Sequence, residues 1–206
     1  MRQFTETYFK GNTHHMNKFI ALVGMTGSGK SVIADYLVAQ NFSFVRFGQI
    51  TLDIVKENGL APTEGNEKKI REKTRLEHGM GAYAILNIPK FDKLLKQGNV
   101  VGDGLYSWSE YKILRDKYKE NLIVVAVYAP PSIRYARLEA RELKAEDTDM
   151  RSRPASRSQA QSRDFSEIEN IEKGGPIAMA DYTIVNTISR ENAIEQLKEI
   201  LILIAN

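Results

Sequence analysis

The stretch Gly24-Met25-Thr26-Gly27-Ser28-Gly29-Lys30-Ser31 decides the fold. It fits G-x-x-x-x-G-K-[ST], follows directly on the apolar run Phe19–Val23, and opens a helix-like stretch near Lys30–Gln40. Glycines at these places let backbone N–H groups curl around a phosphate, where side chains would block the approach or forbid the dihedrals. The helix that follows turns its positive N-terminal end on the same anion. In this pattern Lys30 reaches the β- and γ-phosphates, and the Ser31 hydroxyl completes a Mg²⁺ site. The expected nucleotide-binding residues are therefore Gly24, Met25, Thr26, Gly27, Ser28, Gly29, Lys30, Ser31 and Val32.

Outward from this turn, apolar runs alternate with helical segments. Further strands are read at Ser43–Phe47, at Val100–Val101, at Leu122–Ala129 and at Tyr182–Val185. Strands apolar on both faces and separated by helices indicate a parallel sheet covered on both sides. The expected fold is a three-layer α/β/α domain with a five-stranded parallel sheet. Spacing near 3.6 residues predicts three helical stripes. They are Ile133, Ala136, Ala140 and Leu143; then Phe165, Ile168 and Ile171; and last Ile194, Leu197, Leu201 and Ile204.

Two segments do not read as core. Residues 64–78 have a helical pattern with only Ile70 and Leu76 as apolar anchors, so this helix projects into solvent or lines a cleft. Its mixed charges read mostly as salt bridges on an exposed face. Residues 144–163 are rich in Ser, Arg and Gln, the composition of a loop with little to bury.

The chain has 206 residues, enough for one domain with an insertion. Residues 1–15 read as a leader or disordered tail without chemistry, and 16–206 as a single domain. Lys and Arg total 29 against 26 Asp and Glu, a formal charge of +3. That suits an anionic small molecule and falls well short of a surface that coats nucleic acid. There is no cysteine, which rules out disulfides and thiolate metal sites and fits a reducing cytoplasm, the expected compartment. No apolar run approaches the roughly 18 to 20 residues of a membrane span. The expected partner is thus a small molecule, without nucleic acid or membrane, and the expected state is a monomer or small homo-oligomer.

Asp103 stands at the C-terminal end of the third strand, the edge where open α/β sheets bind ligands. It is placed either to hold Mg²⁺ with Ser31 or to accept the proton of an attacking hydroxyl. Gly104 follows, where hydrolytic motors of this kind carry a Glu that activates water; this argues for transfer to a substrate. Arg134, Arg137 and Arg141 recur at i, i+3 and i+7 and lead into a tract containing Arg151, Arg153, Arg157 and Arg163. Phosphoryl transfer spreads charge over equatorial oxygens, and arginines that close over it also expel water. Residues 144–163 therefore read as a lid, with Lys30, Asp103, Arg137, Arg141 and Arg163 as catalytic candidates. Arg46, Arg71 and Arg75 are the candidates for an acceptor's phosphate.

The spacing Gly-x-x-Gly-x-Gly-Lys resembles small-molecule P-loop kinases more than regulatory GTPases. No Asn-Lys-x-Asp follows, since Asn17-Lys18 runs into Phe19-Ile20; ATP is the expected nucleotide. From Met16 to the C-terminus the sequence resembles the nucleoside-monophosphate-kinase-like group of P-loop kinases, most closely dephospho-CoA kinase and the related, little-characterised kinase-like P-loop proteins. The residues that carry this are Gly24–Ser31, Asp103-Gly104, Arg137 and Arg141, Arg163-Asp164, Gly174-Gly175, Ala180-Asp181-Tyr182 and Val185-Asn186. The resemblance implies an acceptor-binding arm at about 48–90, a lid at about 144–163, adenine near the last strand, and ATP with Mg²⁺ as cofactors. It departs from dephospho-CoA kinases at Phe47-Gly48-Gln49-Ile50-Thr51, where they carry Asp-x-Asp, and in its Met25-Thr26 wording. Dephospho-CoA and a nucleoside monophosphate thus stand as alternative acceptors. A nucleotide-dependent switch or weak ATPase is the reading from another class.

Overall fold

The computed structural model describes residues 17–142 and 154–205. The expected leader at 1–15, and residues 144–153 of the expected lid with Arg151 and Arg153, lie outside them. Five strands form one sheet: β1 (Phe19–Val23), β2 (Ser43–Arg46), β3 (Val100–Asp103), β4 (Leu122–Tyr128) and β5 (Tyr182–Val185). All pair in parallel in the order β2-β3-β1-β4-β5. β1 is central, and the chain crosses from one side of it to the other between β3 and β4. The carboxyl end of β1 is therefore the switch point where such sheets bind ligands.

The period-two alternation of β1 sorts the core into two halves. Phe19, Ala21 and Val23 face helices α4 (Ala82–Leu95) and α5 (Trp108–Tyr118), packing with Tyr83, Phe91, Leu114 and Tyr118. Ile20 and Leu22 face helices α1 (Lys30–Ala39) and α9 (Arg190–Ala205), packing with Ile33, Leu37, Leu197 and Leu201. The sheet is thus covered on both sides, and the expected α/β/α layering holds. Helices α2 (Gln49–Glu57), α3 (Glu64–His78) and α4 occupy the expected arm. After β4 come α6 (Pro131–Glu139), α7 (Arg157–Ile171) and the short α8 (Gly174–Ala178).

Two of the expected stripes need correction. In α6 the buried residues are Arg134, Tyr135 and Leu138, while Ala136 and Ala140 are exposed and Leu143 lies outside the described residues. In α7 only Ile171 of the expected three is buried; Phe165 and Ile168 are more than half exposed. α7 and α6 meet through a small apolar cluster of Tyr135, Leu138 and Ala160 beside the buried pair of Arg134 with Asp164, and a count of apolar residues does not register an ion pair. α7 also starts at Arg157, inside the tract that reads as a loop in sequence, because Ser156 and Gln159 form a capping box. The stripe of α9 holds at Leu197, Leu201 and Ile204, with Ile194 half-buried.

A second capping box opens α5. The Ser107 hydroxyl accepts from the Glu110 N–H at 3.1 Å, and Glu110 Oε2 accepts from the N–H groups of Tyr106 and Ser107 at 2.9 and 3.1 Å. The Glu110 side chain is buried and its Oε1 has no partner. Burial pushes its carboxyl from the ordinary 4.5 up to about 7, against the two backbone donors. The folded chain therefore holds this proton more tightly than the unfolded chain does. Its contribution to stability is greatest in acid, falls as pH rises from 4.5 to 7, and is level above that. The loss is on the order of 3 kcal/mol. Glu110→Gln keeps the capping box and should abolish the slope. Melting temperatures of both chains across pH 4.5 to 8 check this, and parallel profiles would refute it.

Candidate active site

The turn after β1 is built around Gly24, Gly27 and Gly29, each with a positive φ and no room for a Cβ. Gly27 has φ +82°, and a Cβ there would come within 2.8 Å of the Arg134 carbonyl oxygen. Gly29 has φ +101°, and its Cβ would collide with Asn186 Nδ2. The turn is closed by the Ser28 N–H donating to the Met25 carbonyl at 3.2 Å, and α1 begins at Lys30. The Ser28 hydroxyl is buried without a partner. The Lys30 ammonium donates to the carbonyls of Gly24 at 2.8 Å and Met25 at 3.3 Å, so it is folded back over its own loop. Burial, then the ammonium of Lys173, lower its pKa to about 8, against the pull of Asp103 and Glu167.

Two side chains brace the turn from outside. Arg134, from α6, is buried; its Nε donates to the Ala129 carbonyl at 2.9 Å and its Nη1 to the Thr26 carbonyl at 3.1 Å. The same guanidinium grips Asp164 of α7 with two bonds at 3.1 and 2.6 Å, and the Tyr135 hydroxyl donates to Asp164 at 2.9 Å. Asn186, just past β5, donates from Nδ2 to the Ser28 carbonyl at 2.8 Å. Arg137 Nη2 donates to the Asn186 carbonyl at 3.0 Å, while its Nη1 is buried without a partner. Arg141 follows the end of α6.

Asp103 ends β3 in register with Leu22 of β1 and Arg46 of β2, so it stands beside the turn. Its Oδ1 is buried and has no partner. Ser31, in the first turn of α1, is the other expected metal ligand. Among the described residues no three His, Cys, Asp or Glu side chains converge on a point. A cation held here would draw few ligands from protein, the habit of Mg²⁺, which keeps waters and substrate phosphates around it. A buried carboxylate oxygen with no partner, beside a hydroxyl and a phosphate-type turn, fits that ion.

The groups that sequence reading missed cluster over Tyr106. Lys173, between α7 and α8, is buried; its ammonium lies 2.6 Å from Glu167 Oε2 and 4.9 Å from the centre of the Tyr106 ring. Arg163 Nε contacts the other oxygen of Glu167 at 3.0 Å, with half of its side chain in solvent. Burial would raise the Glu167 pKa, but Lys173 and Arg163 overcome it and hold it at about 2. The charges of Arg46, Arg163, Asp103 and Glu167 all act on the Tyr106 hydroxyl, whose pKa is raised chiefly by burial. The one available signal was the i, i+4 spacing of Arg163, the last residue of the tract read as a lid, and Glu167 in the helical segment after it.

The arm residues separate. Arg71 is held by Glu64 and Glu67 of its own helix at 2.5 and 3.5 Å, within a row of i, i+4 pairs that includes Lys68–Glu72 and Lys73–Glu77. Arg75 lies 5.3 Å over the Tyr83 ring, with its Nε buried and unpartnered. Arg46 is at the sheet edge beside Tyr106. The structure therefore brings Lys30, Asp103, Arg163 and Arg46 to one place and Arg137 to the outer side of the turn, while Arg71 is engaged within the arm.

No described helix is long and apolar enough to cross a membrane. The family model described as an AAA domain matches residues 20–173. The chain is 36% identical over 184 residues to a UPF0200 protein of Thermococcus kodakarensis, covering 88% of this chain and 95% of that one. Among solved structures, shikimate kinase from Acinetobacter baumannii in complex with shikimate superposes with a TM-score of 0.56 at 21% identity, over 90% of this chain and 93% of that one. A gluconokinase from Sinorhizobium meliloti gives 0.52 at 15%, over 91% and 95%. These likenesses show the P-loop kinase-like fold. With its glycine turn at the centre of a β2-β3-β1-β4-β5 sheet, the chain belongs to the UPF0200 protein family and carries the AAA-type P-loop domain.

Proposed function

We propose that the chain is an ATP-dependent phosphotransferase that moves the γ-phosphate to a small phosphorylated or nucleotide-like acceptor. The observation that carries this is Asp103: a carboxylate oxygen buried without a partner at the strand end beside the glycine turn, followed by Gly104 rather than a water-activating Glu. The residues Gly24 to Val32 hold the nucleotide's phosphates, with Lys30 leaving the carbonyls of Gly24 and Met25 for phosphate oxygens. Ser31 and Asp103 are the ligands for Mg²⁺, which supplies charge neutralisation of the phosphates when bound. Asp103 is also placed to take the proton of an acceptor hydroxyl. Arg163 neutralises charge on the transferring group, and Arg137 and Arg141 support it from the side of the lid.

In this reading residues 48–90 are an acceptor-binding arm and 144–163 a lid within one domain of residues 16–206. Arg46, Arg71 and Arg75 take the acceptor's anionic group; Arg75, with a buried unpartnered Nε, is the better placed of the two on the arm. Dephospho-CoA is the leading named acceptor, on the sequence resemblance, and a nucleoside monophosphate is the alternative. The solved kinases of like fold act on small molecules by their titles, which favours a compact acceptor. The AAA-domain match favours the other class, a nucleotide-dependent switch or weak ATPase.

Lys30→Ala should leave the fold intact and lower transfer at least ~100-fold, the scale of removing a preorganised cation from a phosphoryl-transfer site. Circular dichroism and ADP release measure the two halves of that statement, and wild-type turnover would refute the role. A panel of acceptors read by ADP release should contain one small molecule that raises turnover well above basal hydrolysis. Acceleration only by a macromolecular partner would establish the switch instead.

A further inference from the structure

A buried lysine needs an explanation. Lysine is among the side chains least often fully buried, and an ion pair in the interior stabilises little beyond what apolar residues of the same volume would. Lys173 is nonetheless 2% exposed, fixed by a backbone N–H bond to the Glu167 carbonyl at 3.2 Å and by its side-chain contact with the same residue. Neither the pair with Glu167 nor the Tyr106 ring 4.9 Å away calls for a buried charge by itself.

The surroundings do. Lys173 lies against the Tyr106 ring, the charges of Arg46 and Arg163 act on the hydroxyl of that ring and those of Lys173 and Arg163 on Lys30, with Asp103 and Glu167 as the carboxylates common to Lys30 and Tyr106. Lys30 and Lys173 are near enough to repel one another. Glu167 is the carboxylate in direct contact with both Lys173 and Arg163, with one oxygen on each, while Glu64 acts on Arg163 from farther off. A carboxylate gripped by two cations from either side resembles a phosphate oxygen in charge and in the donors it accepts.

We propose that Lys173 is a second phosphate-gripping ammonium of this site, and that Glu167 is an internal counter-anion that holds Lys173 and Arg163 until the nucleotide's phosphates replace it. The proposal rests on the nucleotide reading above and adds a competitor to it. Glu167 and the phosphate chain contend for the same two cations, so each phosphate contact is made at the expense of an existing ion pair. Glu167 acts on affinity through Lys173 and Arg163, as a positioning residue.

Calorimetric titration of the whole chain with ATP and Mg²⁺ tests this through the opposite signs of two substitutions. Lys173→Met should weaken ATP binding by about ten-fold or more, and Lys173→Arg should recover most of it, since a guanidinium serves phosphate as well. Glu167→Gln should tighten binding about three-fold or more, because it frees both cations. A merely structural pair would weaken binding in both variants in step with lost melting temperature. That result, or Lys173→Met at wild-type affinity, overturns the proposal. If Lys173→Met does not fold, Glu167→Gln decides alone: tighter binding supports the proposal, and equal or weaker binding overturns it. ATP uptake indifferent to both residues sinks this proposal and spares the nucleotide reading; no uptake by the unaltered chain sinks both.

Discussion

The Arg134 guanidinium is the interaction on which the site's geometry depends. It reaches the Ala129 carbonyl at the end of the β4 segment, the Thr26 carbonyl in the glycine turn, and both oxygens of Asp164 in α7. With its partner it is almost wholly out of water, at 5% and 6% side-chain exposure. Removing one member of such a pair strands the other charge and costs about 3–5 kcal/mol, a large share of the 5–15 kcal/mol that holds a domain together. The consequence is positional as well as energetic. α7 cannot shift along the sheet edge without dragging Thr26. One turn beyond Asp164 stands Glu167, and the end of the helix delivers Lys173. The pair therefore sets where a lysine distant in sequence meets Lys30.

The two buried glutamates show how local the resulting field is. Glu110 is pushed up to about 7 and Glu167 pulled down to about 2, although both are largely removed from solvent. Burial raises each of them. What separates them is contact: Glu167 touches Lys173 and Arg163, whereas Glu110 touches only backbone N–H groups, with Arg75 and Lys173 acting from farther off. Positive charge is thus concentrated at the carboxyl edge between β1, β3 and the end of α7, and it fades within the first turns of α5.

Most of the architecture was legible because it is written in apolar periodicity. The runs at Phe19–Val23 and Leu122–Tyr128 could only be buried strands, the glycine turn between strand and helix named its own ligand class, and Asp103 fell at a strand end as its spacing implied. What remained hidden is polar. The inner faces of α6 and α7 are joined by Arg134 and Asp164, thirty residues apart, and the Asp was quoted only as part of a family resemblance. Lys173 and Glu167 drew no reading, because sequence shows the residue type and not the partner that permits its burial. Phe165 and Ile168 failed for the converse reason: helical spacing identifies a stripe, but the ion pairs on the neighbouring face decide which side turns inward.

The same contrast between apolar and ionic anchoring sorts the helices of the arm. α4 is held to the core by Ala82, Tyr83, Ala84 and Phe91, and Asn87 donates to the Phe47 carbonyl at 3.2 Å. α2 is tied to it by the hydrogen bond between Thr51 and the Tyr83 hydroxyl at 2.6 Å. α3, between them, buries only Thr74, and its ion pairs run along its own surface. Exposed i, i+4 pairs contribute a few tenths of a kcal/mol each and support the helix rather than its attachment. Local opening is least costly where few apolar contacts are lost. Within the arm that place is α3, whose inner side carries Arg75 with an unpartnered Nε. The element that can yield at least cost is therefore the one holding an unsatisfied cationic donor, and a bound anion would repay its movement by satisfying that group.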